Sequence, residues 1–512
     1  MEGLFQSFAA VTQPGVILSI FIGVAGGTVL GALPGLTATM GVALLVPFTF
    51  GMELINSMGM LLGIFLGAMY GGSIPAILIR TPGTPAAAAT AMDGYPMGQR
   101  GEAGRALSMS LISSVSGSFI GVAVMIFLSP QISKFALKFS SAEFFSLAVF
   151  GLSIIIAISG NSISKGLMAA FFGLLLSTIG SDPINGLPRF IFGRMELYEG
   201  PPFIPTLIGL FAVSEVLAGA EKIISAKKIN AKVDRILPAR KDFIKCFPTI
   251  VKSGLIGCFI GAIPGAGGDI AAFVAYGEAK RSSKTPEDFG HGAIEGVAAP
   301  EAANNGCAGG AMIPLLSLGV PGDAVTAILL GALTMQGLQP GPLMYLEHLP
   351  DVHNIFAAMI IGCFCVFIVG ALGMKVFARV ISIDKKLLLP CIMILSLVGS
   401  YSMRNNIVDV YITIIFGIIG YLFQKYHYPL SPILLALILG PMAERNLRRY
   451  LVISSGNFDF FYTRPICTVL LLAAVASLII SVLNQRKIAR NLAKAEAEGR
   501  YNNEFENDDD TQ

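Results

Sequence analysis

With 54% hydrophobic and only 13% charged residues over 512 positions, the chain is too apolar for a soluble protein, in which about a quarter of residues are charged. A formal net charge of +3, with no basic run beside aromatic residues, excludes a nucleic-acid-binding role. The seven cysteines match neither a disulfide framework nor a zinc spacing, and they read as buried thiols.

The chain order predicts an all-α polytopic membrane protein of about 11–12 membrane segments. The first basic residue is Arg80, so the N-terminus lacks the basic region of a cleavable signal and is expected to be retained. A broken hairpin over 14–52, a crossing over 54–80 and a second broken element over 82–98 open the first transmembrane repeat, 1–220. Crossings near 104–130, 143–159, 164–180 and 201–220 complete it. The linker 221–248 is rich in Lys and Arg from Lys222 to Lys245 and is expected in the cytoplasm. The second repeat, 249–443, follows the same order: a broken hairpin over 249–277, a crossing over 300–320 and a broken element over 322–342. Segments near 354–378, 387–401, 407–424 and 429–443 come next. An interfacial segment with a final transmembrane helix near 465–483 occupies 444–484, and 485–512 is a polar cytoplasmic tail.

Two Gly-Pro punctuation patterns define the repeat. Gly31-Ala32-Leu33-Pro34-Gly35 returns as Gly261-Ala262-Ile263-Pro264-Gly265, a shift of 230. Pro75 returns as Pro314, and Pro82-Gly83 as Pro321-Gly322, both shifts of 239. Helices broken at matching places in two halves point to a transporter binding site. If each broken hairpin enters and leaves on one side, each half crosses an odd number of times. Two inverted-topology repeats with re-entrant hairpins result, with the N-terminus outside. Arg445, Arg448 and Arg449 then fall outside, against the positive-inside trend, and are read as interfacial or partner contacts.

Proline removes an N–H and glycine tolerates unusual backbone, so Pro-Gly ends one helix and aims the next. The freed polar groups must face protein or a wet cavity. A half-helix starting there offers N–H groups and partial positive charge to an anion. The expected substrate-binding residues are therefore Gly35, Thr37, Thr39, Gly83 and Thr84. The matching second-half residues Gly267, Asp269, Gly322 and Asp323, with Asn304 and Asn305, form the expected coupling-ion site or a second half-site for substrate, with Asp269 and Asp323 as the candidate Na+ ligands. Asp269 and Asp323 also read as helix caps, and the asparagines read equally as caps. No catalytic residue is expected, and no cofactor beyond the coupling ion, Na+ or H+.

Other polar residues carry plainer readings. Ser73 before the Pro75 kink reads as a packing residue ahead of a ligand, and Asp93 before Gly94 as solvated turn chemistry ahead of binding. Arg80 snorkels to the cytoplasmic face or neutralises a substrate carboxylate. His291, His348 and His353 lie in connecting segments without a paired carboxylate.

These residues resemble the large membrane subunit of tripartite tricarboxylate transporters. The resemblance rests on GALPGLTATM at 31–40, GCFIGAIPGAGGD at 257–269, FGHGAIEGVAAPEAANN at 289–305, and residues 444–465. It implies a bacterial inner-membrane permease that takes up citrate-like di- and tricarboxylates, coupled to Na+ or H+. It also implies a small membrane subunit and a periplasmic solute-binding protein as partners. Two other classes compete. An intramembrane aspartyl protease would need Gly-x-Gly-Asp, but Ala266 stands at the first glycine position before Asp269, and no Tyr-Asp partner motif exists. A passive anion channel remains, and accumulation against a gradient separates it from a carrier.

Overall fold

The computed structural model describes residues 2–33, 36–158, 162–221, 236–380 and 385–497, most of them in helices. In the first half α1 (Glu2–Val11) leads to α2 (Pro14–Ala32), α3 (Ala38–Thr49), α4 (Leu54–Gly71), α5 (Ser73–Ile79) and α6 (Ala87–Gln99). Then come α7 (Ala103–Ala136), α8 (Ser141–Ile158) and α9 (Ile163–Ser177). A small hairpin pairs β1 (Gly180–Ser181) with β2 (Pro188–Arg189). After it, α10 (Phe203–Leu207), a π-helical turn over Ile208–Val213 and α11 (Ser214–Glu221) make one apolar span.

The second half runs α12 (Arg240–Gly261), α13 (Gly267–Ser282), α14 (Ile294–Leu318), α15 (Ala324–Met335), the short α16 (Met344–Glu347) and α17 (Leu349–Val380). It closes with α18 (Lys385–Arg404), α19 (Ile407–Lys425), α20 (Ser431–Ile453), the short α21 (Phe460–Thr463) and α22 (Pro465–Ala497). Among the described residues, nine helices are long and apolar enough to cross a membrane. The chain is a multi-pass membrane protein.

Small residues set how the repeats pack. A methyl on Gly31 of α2 would run into the Ala68 carbonyl of α4, and one on Gly261 of α12 into the Cys307 carbonyl of α14. These positions correspond under the 230 and 239 shifts of the sequence repeat. The breaks match too. Gly83 lies against Gly31 and Gly72, and Gly322 lies against Gly261 and Ala311, without room for a Cβ at either glycine. Without a hydrophobic drive between helices in lipid, close backbone approach is what holds them together. The two halves therefore repeat a packing geometry as well as a motif.

Several boundaries differ from the sequence reading. The crossing expected from 300 begins at Ile294, because Pro300 is tolerated inside α14 among small residues. Asn304 and Asn305 consequently sit in mid-helix and are buried, so they do not cap it. Asp93 is no solvated turn residue; it is fully buried within α6, where protein donors replace water. Helix α12 starts at Arg240, inside the segment read as linker, while 222–235 lie outside the described residues. Residues 444–453 continue α20. There Arg448 bonds Asp182 at 2.5 Å and Glu444 at 3.1 Å, and Arg189 bonds Glu444 at 2.7 Å, which ties the helix to the β1–β2 hairpin.

Candidate substrate and ion site

Each break aims a helix N-terminus into the protein. Thr37 is the N-cap of α3, its hydroxyl accepting the Met40 N–H at 3.2 Å. Asp323 is the N-cap of α15. Its Oδ1 accepts the Thr326 N–H at 2.7 Å, and its own N–H donates to Thr326 Oγ1 at 2.9 Å. That reciprocal box satisfies two donors that the helix start would otherwise leave orphaned. The other two starts lie at Gly267 for α13 and after Thr84-Pro85-Ala86 for α6.

All four starts open on one cavity of about 450 Å³. Thr37, Thr39, Thr84, Gly267, Asp269, Asn304 and Asp323 line it, so the structure brings together most of the residues read from the two repeats. Asp269, on the first turn of α13, is open to the cavity, which Ala86 at the start of α6 also lines. Residues from the two repeats thus meet at the cavity wall. Asp269 and Asp323 line the same cavity, where two ionised carboxylates would repel each other. A cation or a proton placed between two such carboxylates relieves that repulsion.

Two polar side-chain atoms at the cavity are buried without a hydrogen-bond partner: Thr84 Oγ1 and Asn304 Oδ1. Asn304 Nδ2 already donates to the Met69 carbonyl at 3.2 Å, which orients its oxygen. Buried polar atoms are seldom left unpaired, so an orphaned carbonyl beside two carboxylates suits a small cation. The four N-termini suit an anion. The site can hold both charges at once, and each would lower the cost of placing the other. The oxygen donors of Asp269, Asp323 and Asn304 are of the kind that suits a hard cation such as Na+.

Three expected site residues do not line the cavity. Asn305 points away from it, its Nδ2 donating to the Glu301 carbonyl at 3.0 Å. Gly83 and Gly322 act behind the cavity wall: the Gly83 N–H bonds the Gly72 carbonyl at 3.1 Å, and the Gly322 carbonyl accepts the Gly265 N–H at 2.7 Å. They keep the breaks in register. Gly35 lies outside the described residues.

Arg80 is exposed and does not reach the main cavity. It ends α5 in the left-handed region at φ 59°, with its guanidinium 5.9 Å from the Tyr95 ring. It lines a separate cavity of about 530 Å³ with Met92 and Gln99. Ser73 is a packing residue, hydrogen-bonded to Ser110 at 2.7 Å. Among the described residues no group of three or more histidines, cysteines and acids could hold a metal ion.

The sequence reading missed part of the cavity. Phe211, Glu215, Gln424 and Tyr428 form its far wall, from segments with no motif to mark them. It also passed over Glu301, although a lone acid in an apolar window is itself a signal.

Two proteins of Agrobacterium vitis are similar to the chain. The first, described as an uncharacterized 52.8 kDa protein in TAR-I ttuC' 3'region, is 37% identical over 484 residues, 94% of this chain and 96% of its own length. The second, an uncharacterized protein in TAR-II ttuC' 3'region, is 39% identical over 227 residues, 44% of this chain and 94% of its own. No solved structure gives a significant match. The model of the tripartite tricarboxylate transporter TctA family matches residues 17–435, and the chain belongs to that family.

Proposed function

We propose that the chain is the translocating subunit of a secondary transporter for citrate-like di- and tricarboxylates in the bacterial inner membrane, driven by Na+ or H+. One observation carries this reading: four helix N-termini, from matching positions in two repeats, meet at a polar cavity lined by no Lys, Arg or His among the described residues. Substrate carboxylate is held by the N-termini of α3 and α6 with Thr37, Thr39 and Thr84. The coupling ion is held by Asp269, Asp323 and Asn304. Membership in a transporter family supports a non-enzymatic role, and a tripartite family implies partner subunits. In this reading they are a small membrane subunit and a periplasmic binding protein that delivers substrate.

The repeats are inverted in this proposal, and contacts along α7 support it. Near its start Arg105 bonds Asp242, at the open end of the α12–α13 hairpin. Near its other end Ser129 accepts from Tyr345, on the side where Gln336 meets Ser57 and the α2–α3 hairpin opens. The first of these sides also carries Arg100, Arg240 and Lys245, so it faces the cytoplasm.

The test is uptake of labelled citrate and C4-dicarboxylates into proteoliposomes that hold this chain and its small partner subunit, with binding protein outside. Na+ and proton gradients are imposed separately. Accumulation that requires one ion is the expected result and names that ion. Equilibration without accumulation would make the protein a channel, and no flux of any carboxylate would remove the substrate class.

A further inference from the structure

Two carboxyl groups are buried on the inner face of α6, and their partners differ in kind. Asp93 Oδ1 accepts three backbone N–H groups, from Gly290 at 2.9 Å, Gly292 at 2.7 Å and Ala293 at 2.8 Å, while Oδ2 accepts the Tyr276 hydroxyl at 2.8 Å. A backbone N–H can only donate, so Oδ1 is held by three fixed donors. Glu301, on α14, is fully buried and is met only by hydroxyls. Thr90 of α6 donates to Oε1 at 2.5 Å and Ser114 of α7 to Oε2 at 2.9 Å, with Ser110 beside them.

A hydroxyl donates and accepts equally well. If Glu301 takes up a proton, its new O–H can point to Thr90 or Ser114, and that hydroxyl turns to accept it. The carboxyl group is hydrogen-bonded in either state. No Lys, Arg or His pairs with Glu301 among the described residues, so nothing holds the ionised form permanently. A buried, uncompensated anion costs several kcal/mol, whereas a neutral acid does not. Hydrogen bonds of 2.5–2.9 Å also leave no space for a metal ion between the oxygens.

From this juxtaposition we propose that Glu301 is a proton-binding site, separate from the main cavity, at the junction of α6, α7 and α14. Thr90 lies on the same helix that brings Thr84 and Ala86 to the cavity, so the proton acts on the wall of the substrate site. That consequence rests on the transport reading; the proton site itself does not.

The other ionisable groups around α14 are engaged elsewhere or lie farther off. Tyr70 of α4 has a hydroxyl buried without a partner. Asp93 of α6 and Tyr276 of α13 bond each other. Arg105 of α7 is held by Asp242 of α12 and by Glu102, and Lys245 of α12 pairs with Glu295. Cys258 of α12 and Asp323 beside α15 lie toward the cavity, near Cys307.

Infrared spectroscopy of the full-length chain in lipid nanodiscs tests this without any substrate. Spectra taken across about pH 4 to 9, the span documented for free and buried glutamates, should contain a protonated-carboxyl band that fades as pH rises. That band should be absent from Glu301→Gln and retained in Asp323→Asn. Ser114→Ala removes a donor that favours the anion, and it should tighten proton binding about tenfold. If Glu301→Gln does not fold, the Ser114→Ala shift is read alone. Identical spectra in wild type and Glu301→Gln, a Glu301 band constant with pH, or an unchanged midpoint in Ser114→Ala would overturn the assignment. Failed carboxylate uptake with the band present would overturn only the transport reading.

Discussion

Asp93 Oδ1 takes the backbone N–H of Gly292 at 2.7 Å, and through that bond α6 of the first repeat is tied to the turn that opens α14 in the second. Arg100 reinforces the tie by donating to the Gly292 carbonyl at 3.0 Å. The two residues are separated by 199 positions and share no sequence motif. The half-helix that carries Thr84 to the cavity is therefore anchored by the other half of the molecule.

Replacing Asp93 by Asn leaves the size unchanged but weakens every bond in the cradle, because an amide oxygen lacks the carboxylate's charge. Asp93→Asn should destabilise the protein by about 2–3 kcal/mol. The chain has no Trp, so unfolding is best followed with a thiol-reactive dye, to which buried Cys258, Cys307 and Cys363 become available on unfolding. An unfolding midpoint equal to wild type would show that the cradle does not hold α6.

Asp323→Asn separates charge from capping. Asn caps a helix about as well as Asp, so stability without ions should change little. If Na+ is the coupling ion, wild type should gain about 2.7 kcal/mol of stability at a hundred times its Kd. The variant should lose most of that gain. An intact Na+ response in Asp323→Asn would remove Asp323 from the ion site.

Asn304→Ala removes the orphaned carbonyl and the bond to Met69. The lost hydrogen bond should cost about 1 kcal/mol of stability. The larger effect should fall on ion affinity in flux or binding assays, with substrate affinity falling only when ion is present. Equal losses of substrate affinity with and without ion would place Asn304 on the substrate instead.

Gly83→Ala and Gly322→Ala test the repeat as a physical unit. Each added methyl meets backbone, in the first case the Gly31 carbonyl and in the second the Gly261 carbonyl. Each should destabilise by about 1–3 kcal/mol. A harmless substitution at one position beside a severe one at the other would show that the two breaks are not equivalent.

Outside the membrane, Arg448 bonds the Asp182 side chain, and the backbone N–H groups of Asn185 and Ile184 add to it. Together they hold its carboxyl well below the usual carboxylate range. A depressed pKa contributes stability above the ordinary value, about pH 4, and that contribution is lost as pH falls through the folded value. Arg448→Met should flatten this acid limb of the stability profile. An unchanged limb would mean that other carboxylates set it.

The sequence by itself determined the membrane class, the helical architecture, the repeat and the positions of its breaks. Each follows from local rules: apolar length, a missing proline N–H, and close packing at glycine. It also placed Thr37, Thr39, Thr84, Asp269 and Asp323 at helix starts, because N-capping is read within one turn. Tertiary structure alone decided what those starts face. Asp269 meets the start of α6 from the other repeat at one cavity, and Asn304 turns to that cavity while its neighbour Asn305 turns away, since successive residues on a helix lie about 100° apart. The same holds for Asp93 and Glu301. Their sequence environments look like a turn and a capping segment, yet folding dehydrates both and gives one fixed donors and the other hydroxyls. Burial and partner identity are long-range properties, and no local pattern encodes them.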